Sequence, residues 1–193
     1  MKRLILLLPL ALSPVYAIGF WGSVGGGLNV GGFWDLGKFA SANGLIIGID
    51  LMGGITFQHT PISVGLGVDY YAGTHIYEET DPWGGTFKAE VEVRRTYIKL
   101  PLAYQLSRPM FKGYFGFYPA YAFYSVEGAG ISDFKGLAFG FFTNLYYSTG
   151  PVGIGGGIFV DYGPRFKESV MHINNVLYLG INLGLLVSLG VLE

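Results

Sequence analysis

The sequence predicts an all-β fold: an eight-stranded, antiparallel, up-and-down transmembrane β-barrel. Three observations carry that prediction. The chain is apolar without a helical membrane span. Its apolar residues recur with a period of two. The few charges inside the alternating segments lie on the phase opposite the aliphatic residues.

Composition sets the frame. The 193 residues suit one domain, and they are 51% hydrophobic and 13% charged, against about 25% charged in an ordinary soluble domain. Yet no stretch of about 20 residues is apolar and unbroken, as a spanning helix requires. Glycine contributes 32 residues and aromatics 17%, a mixture that weakens helices and packs well on pleated surfaces. A net charge of −1 gives no pull on nucleic acid, so no nucleic-acid partner is expected. The absence of cysteine removes disulfides, thiol catalysis and Cys-based metal sites.

Residues 1–17 have the pattern of a cleaved export signal. Lys2 and Arg3 are the basic start, Leu4 to Leu12 the apolar middle, and Val15-Tyr16-Ala17 places small residues before a cut ahead of Ile18. The barrel domain is then 18–193.

The strands follow in order. A Gly-rich first strand covers roughly 18–30. In the second, Leu45, Ile47, Ile49, Leu51, Ile55 and Phe57 share one phase, while Gly48, Asp50, Met52 and Gly54 share the other. In the third, Ile62, Val64, Leu66, Val68 and Tyr70 oppose Ser63, Gly65, Gly67, Asp69 and Tyr71. In the fourth, Ile98, Leu100, Leu102 and Tyr104 oppose Tyr97, Lys99, Ala103 and Gln105. Aromatic-rich strands occupy roughly 113–126 and 137–148. In the seventh, Val152, Ile154, Ile158 and Val160 oppose Gly153, Gly155, Gly157, Phe159 and Asp161. The last stretch, Val176–Leu192, resembles a membrane helix until sorted by parity. Its odd positions are then all aliphatic and its even positions mostly small or polar, which is a strand.

Long connections (about 31–44, 72–94, 127–136 and 162–175) alternate with short turns at Gln58–Pro61, Ser107–Lys112 and Thr149–Pro151. Bacterial membrane barrels are built this way, with an even strand count and both termini on the short-turn, periplasmic side.

Charge placement decides which face points outward. The strand bodies are read as holding Asp50, Asp69, Lys99 and Asp161, all on the phase opposite the aliphatic residues, and the alternating run Glu90–Arg95 as an extension of the fourth strand above the membrane. A soluble barrel would need far more charge on its wet face, so the charged phase is the lumen. A Lys or Arg on the lipid face at mid-bilayer would cost about 2–4 kcal/mol. Aromatics on the lipid phase gather near the strand ends: Phe20, Phe57, Tyr104, Phe115 and Tyr147 toward the short turns, Tyr70, Phe123 and Phe139 toward the long loops. Two such belts suit the two membrane interfaces.

In architecture the mature chain resembles the small eight-stranded outer-membrane barrels typified by the OmpA transmembrane domain, OmpX and OmpW. It departs from their pattern at the end, where Gly190-Val191-Leu192-Glu193 lacks the usual terminal aromatic. The resemblance implies the outer membrane of a diderm bacterium, contact with outer-membrane lipid, and a monomer.

Candidate functional residues fall into two sets. Pairing Ile62 with Phe57 and with Leu106 brings Asp50, Asp69 and Lys99 to one height on adjacent strands. With Asp161 they form an expected polar network in the lumen. Inward Trp21, Met52, Tyr71, Tyr97, Tyr114, Tyr118, Phe142 and Phe159, interleaved with inward glycines, fill an eight-stranded lumen. The second set lies in the long loop 72–94, where Trp83, between Pro82 and Gly84-Gly85, is a candidate contact for an extracellular partner. His75, Glu78, Glu79 and Asp81 could gather a cation, although an exposed charge run is ordinarily just solvated.

Catalysis has little support. Some small outer-membrane barrels are lipid A acyltransferases or deacylases, whose chemistry needs a Ser, a His base and a carboxylate. The histidines are His59, His75 and His172, with no Ser within two residues of any; Ser169 is three from His172. Gly25-Gly26-Gly27 and Gly155-Gly156-Gly157 are not followed by the Lys-Ser/Thr of a phosphate loop. No cofactor and no metal site is expected. The reading is a non-enzymatic outer-membrane barrel with a structural or surface-interaction role through its loops. The alternatives are a narrow channel for small or apolar solutes and a lipid-modifying enzyme.

Overall fold

The computed structural model describes residues 18–35, 39–57, 60–164, 166 and 175–189. The export-signal segment, His59, Ser169, His172 and the last four residues lie outside them. The strands are β1 (Ile18–Asp35), β2 (Ala40–Phe57), β3 (Ile62–Thr80), β4 (Thr86–Lys99), β5 (Leu102–Arg108), β6 (Phe111–Glu127), β7 (Phe134–Ser148), β8 (Val152–Gly163) and β9 (Asn175–Leu189). No helix occurs among the described residues.

The strands close on themselves. Each pairs antiparallel with its sequence neighbours, except that β4 and β5 do not pair with each other, and β1 also pairs with β9 from Phe20↔Leu189 to Trp34↔Asn175. β4 and β5 stack end to end as one wall strand between β3 and β6, so the ring has the eight positions expected. Closure matters because an unpaired backbone group in hydrocarbon costs several kcal/mol.

Burial follows the two-residue period and is turned inside out. On β3, Ser63, Asp69, Tyr71, His75 and Tyr77 are buried, while Ile62, Val64, Leu66, Val68 and Tyr70 are exposed. Leu183 is 74% exposed and Ile49 63%, whereas Tyr71, Tyr97 and Tyr178 are fully buried. Aliphatic side chains outside and aromatic and charged side chains inside are the arrangement for a lipid surround. The belt residues Phe20, Phe57, Tyr104, Phe115, Tyr147, Tyr70, Phe123 and Phe139 all face out.

Three expectations are corrected. First, the fourth predicted strand is broken: β4 ends at Lys99, β5 starts at Leu102, and Leu100-Pro101 separates them because proline cannot donate to the ladder. The break leaves the phase intact, with Leu100 and Leu102 both outward.

Second, the long loops are shorter than expected. β1 and β2 run through most of 31–44, and β3 and β4 through most of 72–94. The strands continue because inward positions continue: Phe33, Ala42, Tyr77, Val91 and Val93 are buried in a further layer. At 18, 18 and 19 residues, β1 to β3 exceed the 9–11 residues that cross a bilayer. Their surplus forms a collar past the membrane. The β3–β4 hairpin turns at Asp81–Gly85, where Asp81 Oδ1 accepts the N–H groups of Trp83 and Gly85, both at 2.8 Å. Gly84 takes φ 87°, which favours glycine.

Third, Ile62 pairs with Tyr104, not Leu106. The Gln105 N–H donates to the Pro61 carbonyl at 2.6 Å and the Gly65 N–H to the Pro101 carbonyl at 2.9 Å. A slip of two residues keeps every side chain on its face but moves Lys99 from opposite Asp69 to opposite Gly67.

Candidate functional site

Mid-barrel, four strands aim charged side chains at one another. β2 supplies Asp50 and β3 supplies Asp69, a directly opposed pair. β4 supplies Arg95 and Lys99, which share the inward phase with Tyr97, and β8 supplies Asp161. The corrected register helps here. Lys99 lies across from Gly67, which has no side chain to obstruct it, and its ammonium reaches both carboxylates of the next level.

The result is a chain of alternating sign across the lumen. Lys99 Nζ is 2.8 Å from Asp50 Oδ2 and 2.7 Å from Asp69 Oδ2. Arg95 Nη2 lies 3.3 Å from the same Asp69 oxygen, and Nη1 is 2.8 Å from Asp161 Oδ2. The order is therefore Asp50, Lys99, Asp69, Arg95, Asp161. All five are buried, Arg95, Asp69 and Asp161 with side chains at 0% exposure. Neutral donors complete the shell. The backbone N–H of Tyr97 donates to Asp69 Oδ1 at 3.1 Å, and the Tyr118 hydroxyl donates to Asp161 Oδ1. With its oxygen turned inward, the Asn29 amide accepts from Arg95 Nη2 at 2.9 Å.

Aromatic faces enclose the cations. The Arg95 guanidinium lies 4.3 Å from the Tyr97 ring centroid, 4.7 Å from Tyr71 and 5.1 Å from Tyr178, and Lys99 Nζ lies 4.6 Å from Tyr118. Such contacts strengthen when water is excluded. One glycine makes the geometry possible. Tyr118, Gly140 and Asp161 form one row across β6, β7 and β8, and a Cβ on Gly140 would overlap the Tyr118 ring. Because Gly140 has none, the ring lies over it and its hydroxyl reaches Asp161.

Packed layers of buried side chains flank this chain on both sides. Toward the short turns lie Trp21, Met52, Tyr114, Phe142 and Tyr146; toward the collar lie Phe33, Tyr77, Tyr124, Phe134 and Phe166. Tyr124 stacks on Phe134 at 4.6 Å, and its hydroxyl is 2.6 Å from that of Tyr97. The inward Trp21, Met52, Tyr71, Tyr97, Tyr114, Tyr118, Phe142 and Phe159 are all buried.

Sequence reasoning missed Arg95. It closes the alternating run Glu90–Arg95, which reads as an extension of the fourth strand above the membrane, so the guanidinium is not counted with the lumen charges. Parity held the signal, since Arg95 shares its phase with Val91, Val93, Tyr97 and Lys99.

The hairpin residues do not gather into a cation site. His75 faces inward, fully buried, with Nε2 2.9 Å from the Tyr178 hydroxyl. Asp81 is held by its own turn, Glu78 pairs with Lys88 at 2.5 Å, and Glu79 accepts from Tyr77 at 2.7 Å. Among the described residues no three His, Asp or Glu side chains converge as metal ligands. Trp83, at the hairpin tip, is 93% exposed.

A closed eight-position ring, apolar outside and charged within, is the architecture of the small outer-membrane β-barrels, and this chain has that fold. In particular, it is similar to Neisserial surface protein A, with 17% identity, a TM-score of 0.56, and coverage of 87% of this chain and 96% of that one. It is also similar to the outer-membrane protein OprG of Pseudomonas aeruginosa, with 13% identity, a TM-score of 0.54, and coverage of 87% and 95%. No family model matches the sequence, and no curated protein matches it.

Proposed function

We propose that this chain is a non-enzymatic outer-membrane barrel that works at its collar, with a lumen that serves as a rigid plug. The charge chain carries this reading. Five buried ionic groups locked between aromatic layers hold the wall strands in register, and they occupy the space that a solute path would need. What remains for function is the projecting end, where Trp83 caps the β3–β4 hairpin.

Ile18 and Leu189 lie at the short-turn end. In this reading that end faces the periplasm, residues 1–17 are removed on export, and the collar faces outside. The outward aliphatic band meets outer-membrane lipid, the barrel is a monomer, and the partner is an extracellular molecule contacted through Trp83 and its hairpin.

The test is single-channel recording of the refolded barrel in a planar bilayer. A silent trace is expected. Discrete openings would replace the plug with a channel, and Lys99→Ala should then alter ion selectivity. In the silent case, adhesion of cells expressing the barrel should fall when residues 81–85 are replaced by a two-residue turn. Unchanged adhesion would remove the hairpin from the proposal.

A further inference from the structure

One rung of the wall climbs from the short-turn end of the lumen to the charge chain. It starts at Gln105, which pairs with Tyr114, and Tyr114 pairs with Asn144. Asn144 pairs with Gly157, Gly157 with Asn182, and Asn182 with Gly27. Gly27 pairs with Gly48 and Gly48 with Tyr71, whose ring centroid lies 4.7 Å from the Arg95 guanidinium. Directly paired residues share a face of the sheet, so the whole rung looks into the lumen.

We propose that this rung lines a water-filled recess, open at the short turns and blind at the charge chain. The inference leaves the plug in place at the charge chain, and it holds whichever way the barrel is oriented in the membrane. Glycines make the room. A Cβ on Gly27 would overlap the Tyr71 hydroxyl, and one on Gly157 would overlap the Asn144 carbonyl oxygen. Both oxygens therefore lie over the two glycines that flank Asn182, on strands about 4.8 Å to either side of it. Tyr71, Asn144 and Asn182 each have a buried side-chain oxygen with no hydrogen-bond partner among the described residues. Lower on the rung the Tyr114 hydroxyl is likewise unpartnered, as is Trp21 Nε1, whose ring lies 5.2 Å from that of Tyr114. Tyr71, Tyr114, Asn144 and Trp21 are each more than nine-tenths buried.

The chemistry of these groups identifies the occupant. Buried polar side chains nearly always find a hydrogen-bond partner, and here five lie along one path without one. The set holds donors and acceptors but no charge. An apolar molecule would leave them unpaired, and an ion would meet no counter-charge between Gln105 and Tyr71. A water molecule makes about three hydrogen bonds to such groups. The two ends of the lumen differ in the same sense. At the short-turn mouth the inward Thr56, Gln105, Lys112 and Ser188 are polar and half-buried. Beyond the charge chain, Phe33, Tyr124, Phe134 and Phe166 are aromatic and buried. Water thus enters from the first end and stops short of the second.

The experiment is cysteine labelling of the refolded barrel with methyl methanethiosulfonate, a small uncharged reagent, read by mass spectrometry. The chain has no cysteine, so each introduced thiol reports one place. The thiolate is the reactive form, and a thiol in dry apolar surroundings stays protonated. Asn182→Cys and Asn144→Cys, in separate barrels, should be labelled on the order of a hundredfold faster than Ala122→Cys. Ala122 is fully buried and pairs with Tyr97 on the collar side of the charge chain. All three should label completely once unfolded, and the shift in gel mobility between unheated and boiled samples checks each variant's fold. Protection of both the 182 and the 144 thiols to the level of Ala122→Cys overturns the recess. Labelling of Ala122→Cys as fast as the other two overturns its blind end. The bilayer recording reads the plug separately, so failure of the recess and failure of the plug are distinguishable.

Discussion

Asp69 is the residue on which the lumen depends most. Its Oδ2 faces both Lys99 and Arg95, and its Oδ1 takes the Tyr97 N–H. Removing one partner of a buried ion pair leaves an uncompensated charge. Asp69→Asn should therefore cost about 3–5 kcal/mol, because two cations lose their shared carboxylate. Asp50→Asn should cost about 1–3 kcal/mol, because Lys99 keeps Asp69. Guanidinium unfolding from lipid vesicles measures both, and equal losses would refute the shared role of Asp69. Gly140→Val should cost about 1–3 kcal/mol by overpacking the Tyr118 ring, with the added loss of its bond to Asp161. The sequence shows Asp50, Asp69, Lys99 and Asp161 because each sits in a clean alternating run. Arg95 was hidden by its neighbours: Glu90, Glu92 and Arg94 are solvated on the outer phase, and the six-residue alternating run reads as a strand extension above the membrane, so its one inward cation escapes the lumen count.

At the scale of elements, phase was legible and length was not. Each outward aliphatic row follows from parity, because lipid outside and packed aromatics inside impose opposite demands on successive residues. Strand ends carry no such constraint. Above the membrane a strand can be wet on its outer face, so polar residues there do not mark its end. The two-residue register error arose because turn length alone fixes parity but not the rung. The β4/β5–β6 seam contains two residues without an N–H on facing strands, Pro101 and Pro119, with Leu100 N donating to the Pro119 carbonyl at 3.0 Å. Hydrogen exchange should thus be faster at Lys99, Leu102 and Ala120 than at Phe141 and Phe159 in the β7–β8 seam. Uniform protection around the barrel would show that the prolines do not weaken the wall.

For the molecule as a whole, the fold class was legible because composition, period and charge phase agree. The role was not, since a barrel wall states its solvent and not its partner. The layered lumen predicts a silent bilayer recording, and it also predicts that heat and denaturant act on the barrel as one unit. The charge chain ties β2, β3, β4 and β8 together, so tryptophan emission and far-ultraviolet circular dichroism should report one coincident transition. Separate midpoints would mean that the collar unfolds independently.

The ladder between β1 and β9 has a consequence in time. The first strand to emerge during synthesis finds one of its two neighbours only in the last, so closure waits for the whole chain. Until then Ile18–Asp35 has one bare edge, and the outward aliphatic rows have no lipid to face. Such a chain cannot settle strand by strand as it leaves the ribosome. It must be carried unfinished, with its edges shielded from other copies, and it becomes a barrel in one late event.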